Sequence, residues 1–297
     1  MNSEKILFTN ILGVGKNGTT LMGSLLDNHP EISTFPMEMK FVEHYLNTIK
    51  DKSFNGVIKF FLKESKISHL NLQNKLSEKE EELKRVVTGN LASINFDKLK
   101  FEQIITDSIT NRSNNEKEFK DILIFLHKCL NKYLNKPFKN KIVFQDGCFG
   151  LRYVEQQLNI FSNIKFIVII RNPLDVYVSF KKITKQFKFF RRFIGDFSRE
   201  EKMTTSRDYL NYTIINKLFD KYKDDNKFIF VKYENLVFNP DKEMKKIANF
   251  LNIDYSKNLI TPSVFGQSWL GNSSRAKQKK NIDNKEVNKF YKFLNDD

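Results

Sequence analysis

The chain has 297 residues, of which 40% are hydrophobic, and a formal net charge of +15 at pH 7. This length and apolar content allow a large buried core and are typical of one α/β domain, or of one domain with an insertion. The excess of basic residues indicates an anionic partner, such as a nucleotide, a phosphorylated lipid, an acidic glycan or a nucleic acid, or else reflects an Asn- and Lys-rich composition without functional meaning.

Two cysteines, Cys129 and Cys148, are too few for a disulfide framework or a zinc site and favour a reducing compartment. The N-terminal apolar run ILFTNIL is interrupted by Thr9 and Asn10 and leads directly into a glycine loop, which is typical of a strand and not of a signal peptide. No segment approaches the ~20 apolar residues that span a bilayer. We therefore expect a cytoplasmic protein that is soluble or at most peripheral.

The first half of the chain predicts a strand, a helix, a second strand and then several helices. KILFTNIL is typical of a buried strand, GTTLMGSLLDNH of a helix that ends near Asn28 and Pro30, and EISTFP of a short strand. From Phe41 to about Asn140 the periodicity is helical. Its clearest apolar stripe, which we expect to be core, comprises Phe119, Ile122, Leu123, Leu126, Leu130 and Leu134.

The second half alternates strands and helices. KIVFQ, IKFIVII and KFIFVKY predict strands, while GLRYVEQQLNIF, PLDVYVSFKKITKQF and PDKEMKKIANFLNI predict helices. The fold class that follows is α/β, with a parallel sheet, helices on both of its faces and a helical insertion at about 41–140 within a single domain over 1–297. Ligands of such sheets bind at the carboxyl ends of the strands.

The loop after the first strand, GVGKNGTTLM, resembles a phosphate-binding loop with a displaced lysine. In the Walker pattern G-x-x-x-x-G-K-[ST] the lysine follows the second glycine and reaches the β and γ phosphates. Gly13 and Gly18 have that separation, but Thr19 occupies the lysine position and Lys16 lies inside the loop. The strand IKFIVII also ends without an aspartate to hold a metal. The loop therefore predicts a cradle for a 5′-phosphate, with a lysine facing the attached group.

Four motifs in order resemble those of sulfotransferases that use 3′-phosphoadenosine 5′-phosphosulfate (PAPS). GVGKNGTTLM is similar to their 5′-phosphosulfate loop, and RNPLDVYVSF to their 3′-phosphate motif R-x-P-x-x-x-x-x-S, here with Arg171, Pro173 and Ser179. VKYENLVFNP is similar to a Tyr-Glu-Asp-Leu strand end followed by Asn-Pro, and WLGNSS to a segment of bacterial and glycan-type members. The resemblance implies a fold like that of P-loop nucleotide hydrolases.

The resemblance also implies the reaction and the donor site. A sulfuryl group would pass from PAPS to a hydroxyl or amine, leaving adenosine 3′,5′-bisphosphate, and Lys16 would stabilise the transferring group without a metal ion. The planar fork of Arg171 suits the 3′-phosphate. The implied cofactor-binding residues are Gly13, Gly15, Lys16, Asn17, Gly18, Thr19, Thr20, Arg171, Ser179, Gly271, Asn272 and Ser273.

Two further segments have a structural alternative beside the functional one. Trp269 either introduces a loop that closes over the cofactor, with Arg275 or Lys277 adding charge, or anchors an ordinary surface loop. Tyr233 and Glu234 are predicted to tie a strand end to its neighbours.

A base must take the proton of the acceptor. Glycan-type sulfotransferases use the glutamate of a Lys-Glu-x-His-Phe pattern, which FPMEMKFVEHY resembles in part. Glu38 matches the glutamate, whereas Met37 replaces the lysine and Lys40 the histidine. The resemblance favours Glu38.

Other residues remain as alternatives for the base. Cytosolic members carry a histidine after a central strand, where this chain has Gln145 and Asp146. We therefore expect Lys16 and Glu38 to be the catalytic pair, meeting from adjacent strand ends, with Asp146 and His44 as the alternatives.

The segment 181–194 predicts an amphipathic helix with a basic face formed by Lys181, Lys185, Lys188 and Arg192. This face is either solvated surface or a surface that steers an anionic acceptor or contacts an acidic membrane.

The acceptor itself, a glycan, a lipid or a small molecule, is expected to bind partly on the helical insertion, and no nucleic acid is expected as a partner. Two other functions fit parts of the pattern. A nucleotide kinase would share the fold but would bind ATP with Mg²⁺, and a non-catalytic polyanion-binding protein would need only the charge.

Overall fold

The computed structural model describes residues 5–39, 41–49, 52–64, 94–110, 118–186, 197–269, 282 and 287–291. Its centre is a parallel sheet of five strands in the order β2-β3-β1-β4-β5. The strands are β1 (Leu7–Gly13), β2 (Ile32–Glu38), β3 (Lys141–Gly147), β4 (Ile164–Ile170) and β5 (Phe228–Lys232). A short antiparallel pair, β6 (Ser263–Val264) and β7 (Gln267–Ser268), follows near the C-terminal end.

Helices connect the strands. The described α-helices are α1 (Thr19–Leu26), α2 (Phe41–His44), α3 (Phe54–Glu64), α4 (Lys98–Thr110), α5 (Phe119–Tyr133), α6 (Val154–Ile160), α7 (Pro173–Gln186), α8 (Phe197–Tyr222), α9 (Tyr233–Phe238) and α10 (Pro240–Leu251). A π-helical turn (Tyr45–Ile49) follows α2, and 3₁₀ turns occupy Leu151–Tyr153 and Lys257–Ile260. None of the described helices is long and apolar enough to cross a membrane.

The helices cover both faces of the sheet, which confirms the predicted fold class. Successive residues of β1 point to opposite faces, so Phe8 and Leu12 join one apolar cluster and Ile11 joins the other. The first cluster contains residues of α3, α4, α5 and α8, and the second contains residues of α1, α9 and α10. Both faces of the central strands are therefore buried, as expected for a parallel sheet.

The apolar stripe predicted in the insertion is core. Phe119, Ile122, Leu123, Leu126 and Leu130 of α5 are buried in the first cluster, and Leu134 packs against it half-buried. The helices of the insertion thus share a core with one face of the sheet.

Two differences from the sequence-based expectation concern β5 and α8. Strand β5 ends at Lys232 instead of including Tyr233, which begins α9 because its ring leaves the sheet and packs against Gly18. Helix α8 was not predicted at all. Its described buried side chains are Asn211, Ile215, Leu218 and Tyr222, and the polar Asn211 weakens the apolar periodicity.

The strand order also corrects the expected arrangement of the catalytic pair. The loop after β1 and the end of β2 both open at the carboxyl edge of the sheet, as predicted, but β3 lies between these two strands. Neighbouring strands lie about 4.8 Å apart, so β1 and β2 are separated by roughly twice that spacing. Residues at the end of β3 therefore lie between Lys16 and Glu38.

Candidate active site

The loop between β1 and α1 is shaped by two left-handed residues. Lys16 has a φ of 66° and Gly18 a φ of 99°, a conformation that glycine adopts freely and lysine does not. At Gly18 a Cβ atom would also lie 2.4 Å from the ring of Tyr233, so no other residue fits there. Gly18 caps α1 without any side-chain hydrogen bond, so the amides of the first turn are directed into the loop.

Asn17, predicted to bind the cofactor, has its polar groups engaged within the protein. Its side chain is fully buried, and Nδ2 donates to the carbonyl oxygen of Ile169 in β4 at 2.9 Å. The hydroxyl of Tyr212 lies 3.3 Å from Oδ1, and the backbone amide of Asn17 donates to the carbonyl oxygen of Val14. Asn17 therefore stabilises the conformation of the loop through contacts within the protein.

The two threonines after Gly18 begin α1. Thr19 is buried, and Thr20 is half-buried at the sheet edge. Nε2 of Gln145 lies 3.5 Å from Oγ1 of Thr20, the limit of a hydrogen bond. Because a hydroxyl that accepts a hydrogen bond still has a proton to donate, Thr20 can offer its own to an anion in the loop.

Arg171 follows β4 and contacts the loop directly. It is 6% exposed, and Nη1 donates to the carbonyl oxygen of Lys16 at 2.8 Å. Its guanidinium lies 4.4 Å from the centre of the Tyr233 ring, in cation–π geometry. Glu234, the next residue of α9, accepts a hydrogen bond from the backbone amide of Asn172 at 2.9 Å. Tyr233 and Glu234 thus tie the ends of β4 and β5 together, as predicted.

Glu38, the last residue of β2, leans over the end of β3. Gly147 has a φ of 56°, and a Cβ atom built on it would lie 2.6 Å from Oε1 of Glu38. Gly147 is paired with Leu12 of β1. The carboxylate of Glu38 therefore lies over the end of β3, the strand between β2 and β1, on the side of β2 that faces the loop after β1.

Asp146, one alternative for the base, is completely buried and caps α2. Its Oδ1 accepts hydrogen bonds from the backbone amides of Phe41 at 2.6 Å and Val42 at 3.3 Å. Asn10 donates to its other oxygen at 3.3 Å. Burial, with a smaller contribution from the negative charge of Glu38, raises the pKa of Asp146 to about 7, although the hydrogen bonds from Phe41, Val42 and Asn10 lower it. The side chain thus holds α2 in place and does not face the open edge of the sheet.

The other candidates are less central or lie outside the described residues. His44 is half-buried, with its ring 5.0 Å from that of Phe60, and Ser179 is half-buried on α7. Trp269 is buried, as its structural interpretation requires. Outside the described residues lie Gly271, Asn272, Ser273, Arg275, Lys277 and, of the basic face of 181–194, Lys188 and Arg192.

Tyr212 is a residue of the site that the sequence did not suggest. Its hydroxyl lies 3.0 Å from the carbonyl oxygen of Arg171 and 3.3 Å from Oδ1 of Asn17. It comes from α8, which no motif marked. Among the residues that the structure describes, no three His, Cys, Asp or Glu side chains come together as a metal site would require.

Comparison with known proteins identifies the family of the chain. A model described as the sulfotransferase family matches residues 9–257. No curated protein matches significantly. The fold is similar to the sulfotransferase domain of the Synechococcus PCC 7002 olefin synthase, at 16% identity and a TM-score of 0.52 over 96% of this chain and 86% of that one.

Two other solved structures are more distant. The sulfotransferase domain from the curacin biosynthetic pathway has a TM-score of 0.48 at 16% identity, over 96% of this chain and 90% of that one. A sulfotransferase from Mycobacterium avium has a TM-score of 0.46 at 13% identity, over 87% of this chain and 66% of that one. The match to the family model spans most of the sequence, and on that basis the chain belongs to the sulfotransferase family.

Proposed function

We propose that the protein transfers a sulfuryl group from PAPS to a hydroxyl or amine of an acceptor without a metal ion. The observation that carries this proposal is the hydrogen bond of 2.8 Å from Arg171 to the carbonyl oxygen of Lys16. This hydrogen bond brings Lys16, assigned to the 5′-phosphosulfate, and Arg171, assigned to the 3′-phosphate, into a single site. A nucleotide triphosphatase would have a lysine where this chain has Thr19.

The loop fits the 5′ end of such a donor. The uncapped first turn of α1 offers backbone amides, and Thr19 and Thr20 add hydroxyl groups beside them. Helix N-termini of this kind bind phosphate because their amides and the helix dipole favour negative charge. Arg171, at the end of β4, and Ser179, on α7, are the proposed ligands of the 3′-phosphate, which ATP lacks.

The chemistry needs charge stabilisation and a base. When bound, PAPS supplies the sulfur that the acceptor attacks, and the bond from sulfur to the bridging oxygen breaks with its electron pair on the leaving nucleotide. Lys16 stabilises the negative charge that develops on that oxygen. Glu38 takes the proton of the acceptor hydroxyl.

Glu38 suits the role of base better than its alternatives. Its carboxylate lies over Gly147, at the open edge of the sheet and on the side towards the loop. Asp146 is fully buried and already accepts hydrogen bonds from the backbone of α2, so it cannot reach an acceptor without breaking that cap. The ring of His44 packs on Phe60, one turn of helix beyond the edge.

The helical insertion is the proposed second wall of the acceptor site, within a single domain. It begins with α2, three residues after Glu38, and its helices share a core with the sheet. An acceptor bound there would present its hydroxyl to Glu38. A glycan, a lipid and a small molecule all remain candidates, and the basic face of 181–194 would favour an anionic one.

Calorimetry with adenosine 3′,5′-bisphosphate and with ATP, each with and without Mg²⁺, tests the donor. The proposal expects the bisphosphate to bind more tightly and independently of Mg²⁺. Preference for ATP with Mg²⁺ would favour a kinase, and equal weak binding of both nucleotides would favour a polyanion-binding protein.

The Glu38→Gln variant tests the base, because glutamine keeps the shape of the side chain but cannot accept the proton. Turnover of sulfur-labelled PAPS, with the best acceptor from a panel of phenols, glycans and lipids, should fall roughly 10²- to 10⁴-fold while bisphosphate binding persists. The matched control is Glu102→Gln, a half-buried glutamate of α4 that forms an ion pair with Lys98 at 3.5 Å. Near-normal turnover in Glu38→Gln would move the role to another residue.

A further inference from the structure

The loop that carries Lys16 is tied to the end of β4 by three contacts. Asn17 donates to the carbonyl oxygen of Ile169 at 2.9 Å, and Arg171 donates to that of Lys16 at 2.8 Å. The third contact is made by Tyr212 of α8, whose hydroxyl lies within 3.3 Å of Oδ1 of Asn17 and 3.0 Å of the carbonyl oxygen of Arg171. The two acceptor oxygens share the single proton of this hydroxyl, so Tyr212 contacts both the loop and the strand end.

These contacts constrain the backbone conformation of Lys16. A lysine with a φ of 66° is held in a region that residues other than glycine enter only when their surroundings impose it. The carbonyl oxygen that follows this torsion is the one that Arg171 binds. Loss of the contacts that fix Arg171 and Asn17 would let Lys16 relax, and its side chain would then leave the direction set by the loop.

We propose that Tyr212 is a positioning residue that holds Lys16 in its left-handed conformation by fixing Asn17 and Arg171 on either side. The proposal rests on the proposed function, because Lys16 is the group through which Tyr212 would affect turnover. Tyr212 itself would not touch the donor, and its phenolic hydroxyl would neither give nor take a proton in the reaction.

The test compares Tyr212→Phe with Tyr222→Phe. Both substitutions remove one hydroxyl from α8, and that of Tyr222 donates to Glu155 at 2.7 Å, ten residues further along the helix. Tyr212→Phe should lower kcat for sulfuryl transfer by about 3- to 30-fold, the size of effect expected for a residue one contact removed from the chemistry. The KM for the acceptor should stay unchanged, and Tyr222→Phe should leave kcat at the wild-type value.

A second comparison shows whether Tyr212 acts through Lys16. In the Lys16→Ala background, Tyr212→Phe should cause no further loss of kcat, because the group that it positions is gone. Losses that multiply would overturn the proposal, as would a Tyr212→Phe enzyme that is as active as Tyr222→Phe.

Hydrogen exchange provides a readout that does not depend on activity. The amide of Asn17 is hydrogen-bonded to the carbonyl oxygen of Val14 inside the loop, and it should exchange faster in Tyr212→Phe than in Tyr222→Phe. An unchanged exchange rate of the Asn17 amide would refute the claim that Tyr212 stabilises the loop. If the wild-type protein transfers no sulfuryl group from PAPS, the proposed function fails, and with it the effect of Tyr212 on turnover. If the wild-type protein is active and the two variants behave alike, only the positioning role of Tyr212 is refuted.

Discussion

The Gly147→Ala substitution examines the placement of Glu38 over the end of β3. The methyl group would lie 2.6 Å from Oε1 of Glu38, whereas ordinary contacts begin at 3.4 Å, so the carboxylate must retreat by 3.4 − 2.6, or about 0.8 Å. Misplacement of a reacting group by about 1 Å can cost up to ~10²-fold in rate. We therefore expect kcat to fall about 10- to 100-fold.

The backbone strain of Gly147→Ala needs its own control. Gly147 has a φ of 56°, and a left-handed alanine costs about 1–2 kcal/mol of unfolding free energy. Gly266 has a φ of 75°, and a Cβ atom there would meet the end of the flexible Lys136 side chain at 3.2 Å and Oδ1 of Asn28 at 3.4 Å, an ordinary contact. Gly266→Ala should thus lose a similar unfolding free energy in urea titrations.

Turnover separates the two glycine variants. Gly266 lies in the turn between β6 and β7 and contacts Asp27 and not Glu38, so Gly266→Ala should keep wild-type kcat. Equal kcat values in the two alanine variants would refute the placement of Glu38 over Gly147, because strain alone would then explain both.

Two further predictions concern Arg171 and Asp146. Arg171→Ala should weaken binding of adenosine 3′,5′-bisphosphate by about 1.5–3 kcal/mol in calorimetry. Adenosine 5′-phosphosulfate, which has no 3′-phosphate, should lose less, and only because the guanidinium also holds the carbonyl oxygen of Lys16; equal losses would contradict the 3′-phosphate assignment. The pKa of Asp146 rises from 3.8 to about 7 on folding, so this carboxyl favours the folded state at low pH, and its contribution is lost as pH rises from about 4 to 7. Asp146→Asn should remove that pH dependence from the unfolding free energy, whereas parallel curves for variant and wild type would show that Asp146 does not titrate in this range.

Much of the fold was predictable because it follows from local patterns. The run IKFIVII is apolar at every position except Lys165, which suits a strand buried on both faces and became β4. The apolar stripe on α5 repeats at helical spacing, and all of its residues lie in or against the first apolar cluster. Helix α8 was not predicted because the polar Asn211 occupies one of its buried positions. Tyr233 was assigned to β5 because alternation cannot show where a ring leaves the sheet.

For the site, the sequence by itself determined that the motifs following β1, β2 and β4 lie at one edge of the sheet. Strands that run parallel bring their carboxyl ends together, so motifs after β1, β2 and β4 could be assigned to one site without coordinates. The strand order could not be read in this way, because hydrogen bonds between strands join residues far apart in sequence. Only the tertiary structure placed β3 between β1 and β2, set Glu38 over Gly147, and brought Tyr212 from a helix without a motif to Asn17 and Arg171. Such contacts depend on how packed elements meet in space, which short-range sequence patterns do not record.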